Sequence, residues 1–213
     1  MLREITDILS TDEVEIEIDQ DLFLDCYYHL LEDNTIDIEF VWGGRDSGKS
    51  QHVAQQLIKE CLELDYFRCV LIKKTHESIK DSQWQTIKDI IEEWNLEEYF
   101  SFRTSPLEIE CVNGNKFIAR GCDNPVKLKS IRNPSHVWYE EGDQLTLQDF
   151  TTILTTLRSN YGKVKQFFVF NPELPKGLVD KKDFWLYKNW FPHTEEKNFT
   201  TTKTIKHKER ELS

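Results

Sequence analysis

Eight consecutive residues, Gly43-Gly44-Arg45-Asp46-Ser47-Gly48-Lys49-Ser50, have the types and spacing of a phosphate-binding loop. A phosphate is held by many donors at close range, and glycines let backbone N–H groups approach it and point inward. Gly43 and Gly48 fit that part. Lys49 stands where an ammonium reaches the β- and γ-phosphates, and Ser50 carries a hydroxyl able to ligate Mg²⁺. The helix that starts there, with Gln51 in its first turn, adds its dipole to the anion site. By ordinary residue usage the pattern arises by accident in roughly one chain in a hundred of this length. An apolar run before it and an amphipathic run after it lower that severalfold. The loop and Gln51 together are the expected nucleotide-binding set, with ATP and Mg²⁺ as cofactors.

Cleaving a triphosphate requires more: a carboxylate on the Mg²⁺ shell and often a second to orient and activate water. His136-Val137-Trp138-Tyr139-Glu140-Glu141 offers both at the end of an apolar strand, where ligands bind in open α/β sheets. Successive residues at a strand end point in different directions. Glu140 is the candidate Mg²⁺ carboxylate, standing where an Asp is usual, and Glu141 the candidate general base. A solvated glutamate pair is the plain alternative in a chain 31% charged; its place downstream of the loop favours chemistry.

These residues need a scaffold, and the hydrophobic pattern supplies one. Ile36–Trp42 reads as a strand entering the glycines, and the following helix turns Val53, Leu57, Ile58, Cys61 and Leu62 inward. Cys69–Ile72 is a short apolar strand of the kind buried in parallel sheets, followed by a helix from about Ile79 to Trp94. Leu107–Val112 and Lys116–Arg120 alternate apolar and polar around Asn113-Gly114, a hairpin signal. His136–Tyr139 and Gln166–Phe170 are further strands, with a helix near Leu147–Leu157 between them and another near Asp180–Trp190. Residues 21–33 read as a helix with Leu22, Cys26, Leu30 and Leu31 on one face. Strands alternating with helices predict an α/β fold, a mostly parallel sheet flanked by helices, with the hairpin as an antiparallel addition. The expected division is an acidic arm over 1–20, the main domain over 21–195 and a polar, basic tail over 196–213.

Composition narrows the class. A chain of 213 residues with 38% hydrophobic content holds one domain with a core. No apolar run approaches the roughly 20 residues needed to cross a bilayer, and no signal-peptide pattern opens the chain, so a cytoplasmic protein without membrane contact is expected. The five cysteines form no C-x-x-C pair and are odd in number, so buried reduced thiols are expected rather than zinc or disulfides. A net charge of −11 is not that of a whole-domain DNA grip, so any nucleic-acid contact must be local or supplied by another domain.

With both motifs in hand, the chain resembles the ATPase domain of the large terminase subunit of tailed bacteriophages. The loop, with Asp46 in place of a usual Gly, carries this. So do Phe117–Gly121 with Asp123–Ser130, the Val137–Leu145 block, and Phe168-Val169-Phe170-Asn171-Pro172. The resemblance covers about 23–195. It implies a RecA/ASCE-like P-loop NTPase sheet and a motor that moves double-stranded DNA into a procapsid in the host cytoplasm. It also implies a homo-oligomeric ring docked on a portal protein, and a small terminase subunit as partner. Arg45 would bend toward the γ-phosphate and Asn171 would sense it. Tyr27 or Tyr28 would stack on adenine. Arg158, or else Arg120, would act in trans as an arginine finger. Large subunits of this family continue into a nuclease domain. This chain ends at Ser213, so that domain is expected elsewhere, in cis or trans, and no nuclease activity from these residues. A P-loop kinase or helicase-like ATPase acting on another substrate and a nucleotide-gated binding module are the alternatives; the glutamate pair suits water activation, which speaks against the kinase and the binding module.

Overall fold

The computed structural model describes residues 16–27, 31, 37–122, 128–173 and 177–191. Tyr28, most of the acidic arm, the segment 123–127 and the basic tail lie outside the described residues.

The apolar runs become seven strands: β1 (Ile38–Trp42), β2 (Arg68–Lys73), β3 (Phe100–Thr104), β4 (Leu107–Cys111), β5 (Lys116–Gly121), β6 (His136–Tyr139) and β7 (Lys165–Phe170). They form one sheet in the order β1-β7-β6-β2-β5-β4-β3. The first five in that order are parallel, and β4 and β3 add on antiparallel. The helices are α1 (Lys49–Glu63), α2 (Glu77–Ile79), α3 (Gln85–Glu93), α4 (Leu147–Thr156) and α5 (Trp185–Trp190). A π-helical turn, Lys80–Trp84, joins α2 to α3.

Side chains alternate across a strand, so each parallel strand feeds two cores. Cys69 and Leu71 of β2 join one cluster with Val53, Leu57 and Ile58 of α1 and Ile87 and Ile91 of α3. Val70 and Ile72 join the other with Phe150 and Ile153 of α4 and Leu186 and Trp190 of α5. Strands covered on both faces have no polar positions to spare, which is why β2, β6 and β7 read as near-continuous apolar runs. Truncating a fully buried residue such as Phe167 to Ala costs about 3–5 kcal/mol.

Three expectations change. The described part of 21–33 is two 3-10 turns, Gln20–Leu22 and Asp25–Tyr27, rather than a helix with one apolar stripe. Its backbone is claimed by tertiary partners: Gln55 Nε2 donates to the Leu22 carbonyl at 2.7 Å, and Phe23, not Cys26, is buried. Cys26 is exposed, so only four of the five cysteines are buried thiols. Finally, β3 extends the hairpin to three strands. Its Phe100 and Phe102 alternate with Ser101 and Arg103, a period-2 signal too short to stand out from the sequence. No helix among the described residues is long and apolar enough to cross a membrane.

Candidate active site

The sheet order puts three strand ends side by side. β7 lies between β1, which leads into Gly43, and β6, which leads into Glu140. Trp42 is in register with Phe170, and Tyr139 with Phe168. The loop, Asn171 and the glutamate pair therefore emerge at one edge, the carboxyl ends of parallel strands. A cleft of about 390 Å³ opens there. It is lined by Arg45, Asp46, Lys49 and Ser50 from the loop, by Glu140, Glu141, Asp143 and Gln144 after β6, and by Phe170, Asn171 and Glu173 at and after the end of β7.

Inside the loop, Gly48 has φ 78° and Asp46 has φ 57°, both left-handed. A Cβ at Gly48 would meet only the flexible end of Leu24, so it is the positive φ that calls for glycine there. Asp46 holds the same kind of backbone without a glycine, and Asp is among the few L residues that tolerate it. Lys49 is buried, and its ammonium donates to the Gly43 carbonyl at 3.0 Å, the Gly44 carbonyl at 2.6 Å and Ser47 Oγ at 3.2 Å. Burial lowers its pKa, opposed by Glu140, Asp46 and Asp143.

Ser50 Oγ donates to Glu140 Oε1 at 2.7 Å, and the Trp138 indole donates to Oε2 at 3.0 Å. A hydroxyl and a carboxylate meeting beside a phosphate loop form an oxygen donor set of the kind Mg²⁺ prefers. Burial pushes the Glu140 carboxyl up to about 7, against the pull of Ser50, Lys73 and Trp138. Glu141 adopts φ 51°, ψ 45° and stays more open to solvent. Its Oε1 lies 3.3 Å from Lys73 Nζ, and its Oε2 accepts from Gln144 Nε2 at 2.8 Å. Asp143 also lines the cleft; burial raises its pKa, opposed by its own backbone N–H and that of Asn171.

The sequence pattern alone does not single out Lys73, Asp143 and Gln144. Lys73 follows the apolar strand Cys69–Ile72 in the way Glu140 follows His136–Tyr139, and that strand-end position is the signal that could have found it.

The other candidates fall in different places. Arg45 is exposed and lines the cleft. Gln51 sits in the first turn of α1. Tyr27 braces the loop: its hydroxyl donates to the Ser47 carbonyl at 3.0 Å and its ring stacks on the buried His52, centroids 4.5 Å apart. Arg158 does not share the cleft. α4 runs back across the sheet, and Asn160, just past Arg158, bonds to Asn133 ahead of β6, at the opposite end of the strands. Arg120 is two strands from β6; its guanidinium donates to the Ala119 carbonyl and faces Glu108.

Comparison with known proteins follows the same lines. The PBSX phage terminase large subunit of Bacillus subtilis (strain 168) is 29% identical over 161 residues, 76% of this chain and 35% of that protein. The large terminase subunit of Bacillus phage SPP1 is 25% identical over 156 residues, 68% of this chain and 35% of that protein. The chain thus spans about a third of the length of the curated relatives it matches. The HK97 bacteriophage large terminase shares the fold with a TM-score of 0.57 at 13% identity, over 76% of this chain and 34% of that one. The Thermus phage P74-26 large terminase ATPase domain gives 0.57 at 16% identity, over 76% and 67%. A sequence profile described as phage terminase large subunit matches residues 35–210, and the chain belongs to that family.

Proposed function

We propose that this chain is a Mg²⁺-dependent ATPase, the motor portion of a large terminase subunit, and that its turnover drives double-stranded DNA into a procapsid. The observation that carries the reading is the convergence of Lys49, Ser50, Glu140 and Glu141 on one cleft at the carboxyl ends of β1 and β6. A nucleotide switch needs the first three; a fourth, solvent-open carboxylate suits water activation.

The backbone from Gly43 to Ser50 and the Lys49 ammonium bind the β- and γ-phosphates, with Lys49 exchanging its loop oxygens for phosphate oxygens. Ser50 and Glu140 would hold Mg²⁺, which when bound neutralises charge on the phosphate oxygens. Glu141 orients a water and takes its proton. The water oxygen bonds the γ-phosphorus as the bond to the β–γ bridging oxygen breaks, and ADP leaves. Arg45 meets the charge growing on the γ-phosphoryl group, and Asn171 reads its presence from the end of β7. An arginine from a neighbouring subunit, with Arg158 the first candidate, completes the charge stabilisation and accounts for ring assembly. The portal protein, the small subunit and a nuclease domain in cis or trans are the partners this role requires.

Phosphate release from ATP tests the reading. The 213-residue chain releases phosphate in the presence of Mg²⁺, double-stranded DNA and portal rings raise the rate, and Lys49→Ala abolishes it. Undiminished release by Lys49→Ala contradicts the assignment of the site.

A further inference from the structure

The turn after β6 is fastened to β7 at two points that the hydrolytic scheme does not use. Gly142 packs so closely on Phe168 of β7 that a Cβ at this position would overlap the ring. Phe168 cannot give way cheaply: it is fully buried, with Tyr139 5.1 Å and Phe150 5.6 Å from it between ring centroids. One residue on, the Asp143 carboxylate faces the backbone N–H of Asn171, the first residue past β7, across the cleft both residues line. Between these anchors and β6 stands Glu141, held at φ 51°, ψ 45°, a conformation uncommon for a glutamate. The turn closes behind it, with the Gln144 N–H on the Glu141 carbonyl at 2.9 Å and the Leu145 N–H on the Gly142 carbonyl at 3.1 Å.

A left-handed non-glycine residue persists only where its surroundings over-determine it. Here Lys73 and Gln144 hold the carboxylate itself, and Gly142 and Asp143 fix the backbone that carries it. We propose that these two are positioning residues for the water-activating carboxylate: by docking the turn on the end of β7 they set where Glu141 points. This rests on the reading of Glu141 as general base. It also makes the geometry of that base depend on β7, so any displacement of the Asn171 end on nucleotide binding or release moves Glu141 with it. A shift of about 1 Å in a reacting group can lower a rate on the order of a hundredfold.

Asp143→Ala removes the carboxylate that faces the Asn171 N–H, whereas Asp143→Asn keeps a side-chain oxygen there and removes the charge. Measured on the 213-residue chain at saturating ATP, Asp143→Ala lowers kcat by roughly ten- to a hundredfold, with KM and the affinity for a fluorescent ATP analogue unchanged. Asp143→Asn recovers most of that rate. Gly142→Ala loses kcat in the same way, and Phe168→Leu added to it restores part of the loss. If Gly142→Ala does not fold, the two Asp143 variants carry the test. A wild-type rate for Asp143→Ala overturns the proposal. So does an Asp143→Asn as slow as Asp143→Ala, which assigns the effect to charge, or a parallel loss of analogue affinity, which assigns Asp143 to binding. Glu141→Gln, run alongside, separates the two layers: full turnover in that variant removes Glu141 as base, and then the failure is of the underlying reading.

Discussion

Asp46 occupies a left-handed position inside the loop that must wrap a phosphate, where glycine would relax the backbone and a β-branched residue could not follow. Asp46→Gly is therefore expected to leave the melting temperature close to wild type, and Asp46→Val to destabilise by about 1–3 kcal/mol in denaturant titrations. At the far end of the sheet, Glu60 on α1 meets His136 Nε2 and Lys165 Nζ, each at 2.8 Å. Burial alone would raise its pKa; the hydrogen bond and charge of His136 and the charge of Lys165 outweigh that and hold it at about 2. A carboxyl depressed on folding stabilises fully above its unfolded pKa, near 4.5, and that contribution is lost as pH falls from 4.5 toward 2. Each tenfold change in proton affinity is worth roughly 1.4 kcal/mol, which makes the contribution about 3 kcal/mol. Stability measured from pH 6 to pH 3 should fall more steeply in wild type than in Glu60→Gln; parallel slopes contradict the role given to this cluster.

Among the elements, α4 links β6 to β7 and packs Phe150 and Ile153 against both. Thr146 accepts the Asp149 N–H at 3.1 Å while Asp149 accepts the Thr146 N–H at 2.9 Å, a reciprocal cap, and Lys74, just past the end of β2, pairs with Asp149 at 2.9 Å. Thr146→Ala should lower stability by about 1 kcal/mol, read as a shifted denaturation midpoint at constant slope. How much of this was legible in the sequence differs by element. Long apolar or strongly periodic runs, β1 with α1, β2, the β4–β5 hairpin, β6 and β7, declare themselves because burial on one or two faces dictates their pattern. The stretch over 21–27 does not. Leu22 and Tyr27 sit in a stretch with helical spacing, yet α1 and the loop capture them one at a time, and tertiary contacts override local period. In the cleft, the loop and the glutamate pair are contiguous in sequence and readable. Lys73 shows only as a strand-end position, and the part played by Asp143 and the Gly142–Phe168 contact arise only when β6 and β7 are laid side by side.

At the scale of the whole molecule, the surface sets limits on the partner. A net charge of −11 opposes a whole-domain grip on DNA, so under the proposed function the grip is local and made through phosphates. Binding of double-stranded DNA by the assembled motor should weaken steeply as salt is raised, with little preference among sequences. Arg158 lies at the opposite end of the sheet from its own loop, so a catalytic part for it demands a neighbour. Mixing Arg158→Ala chains with Lys49→Ala chains on a portal ring should restore some turnover that neither shows alone, because the Lys49 site of the first then meets the Arg158 of the second at an intact border. No recovery assigns Arg158 to the surface and leaves the trans arginine to another residue.

The most direct test of the central claim is to measure bound ATP and phosphate release together in Glu141→Gln. Lys49, Ser50 and Glu140 are untouched in that variant, so labelled ATP should be retained with wild-type affinity while the hydrolysis step falls by orders of magnitude. Phosphate release at the wild-type rate, or loss of ATP binding together with turnover, would contradict a cleft in which Glu141 activates water beside a phosphate held by the loop.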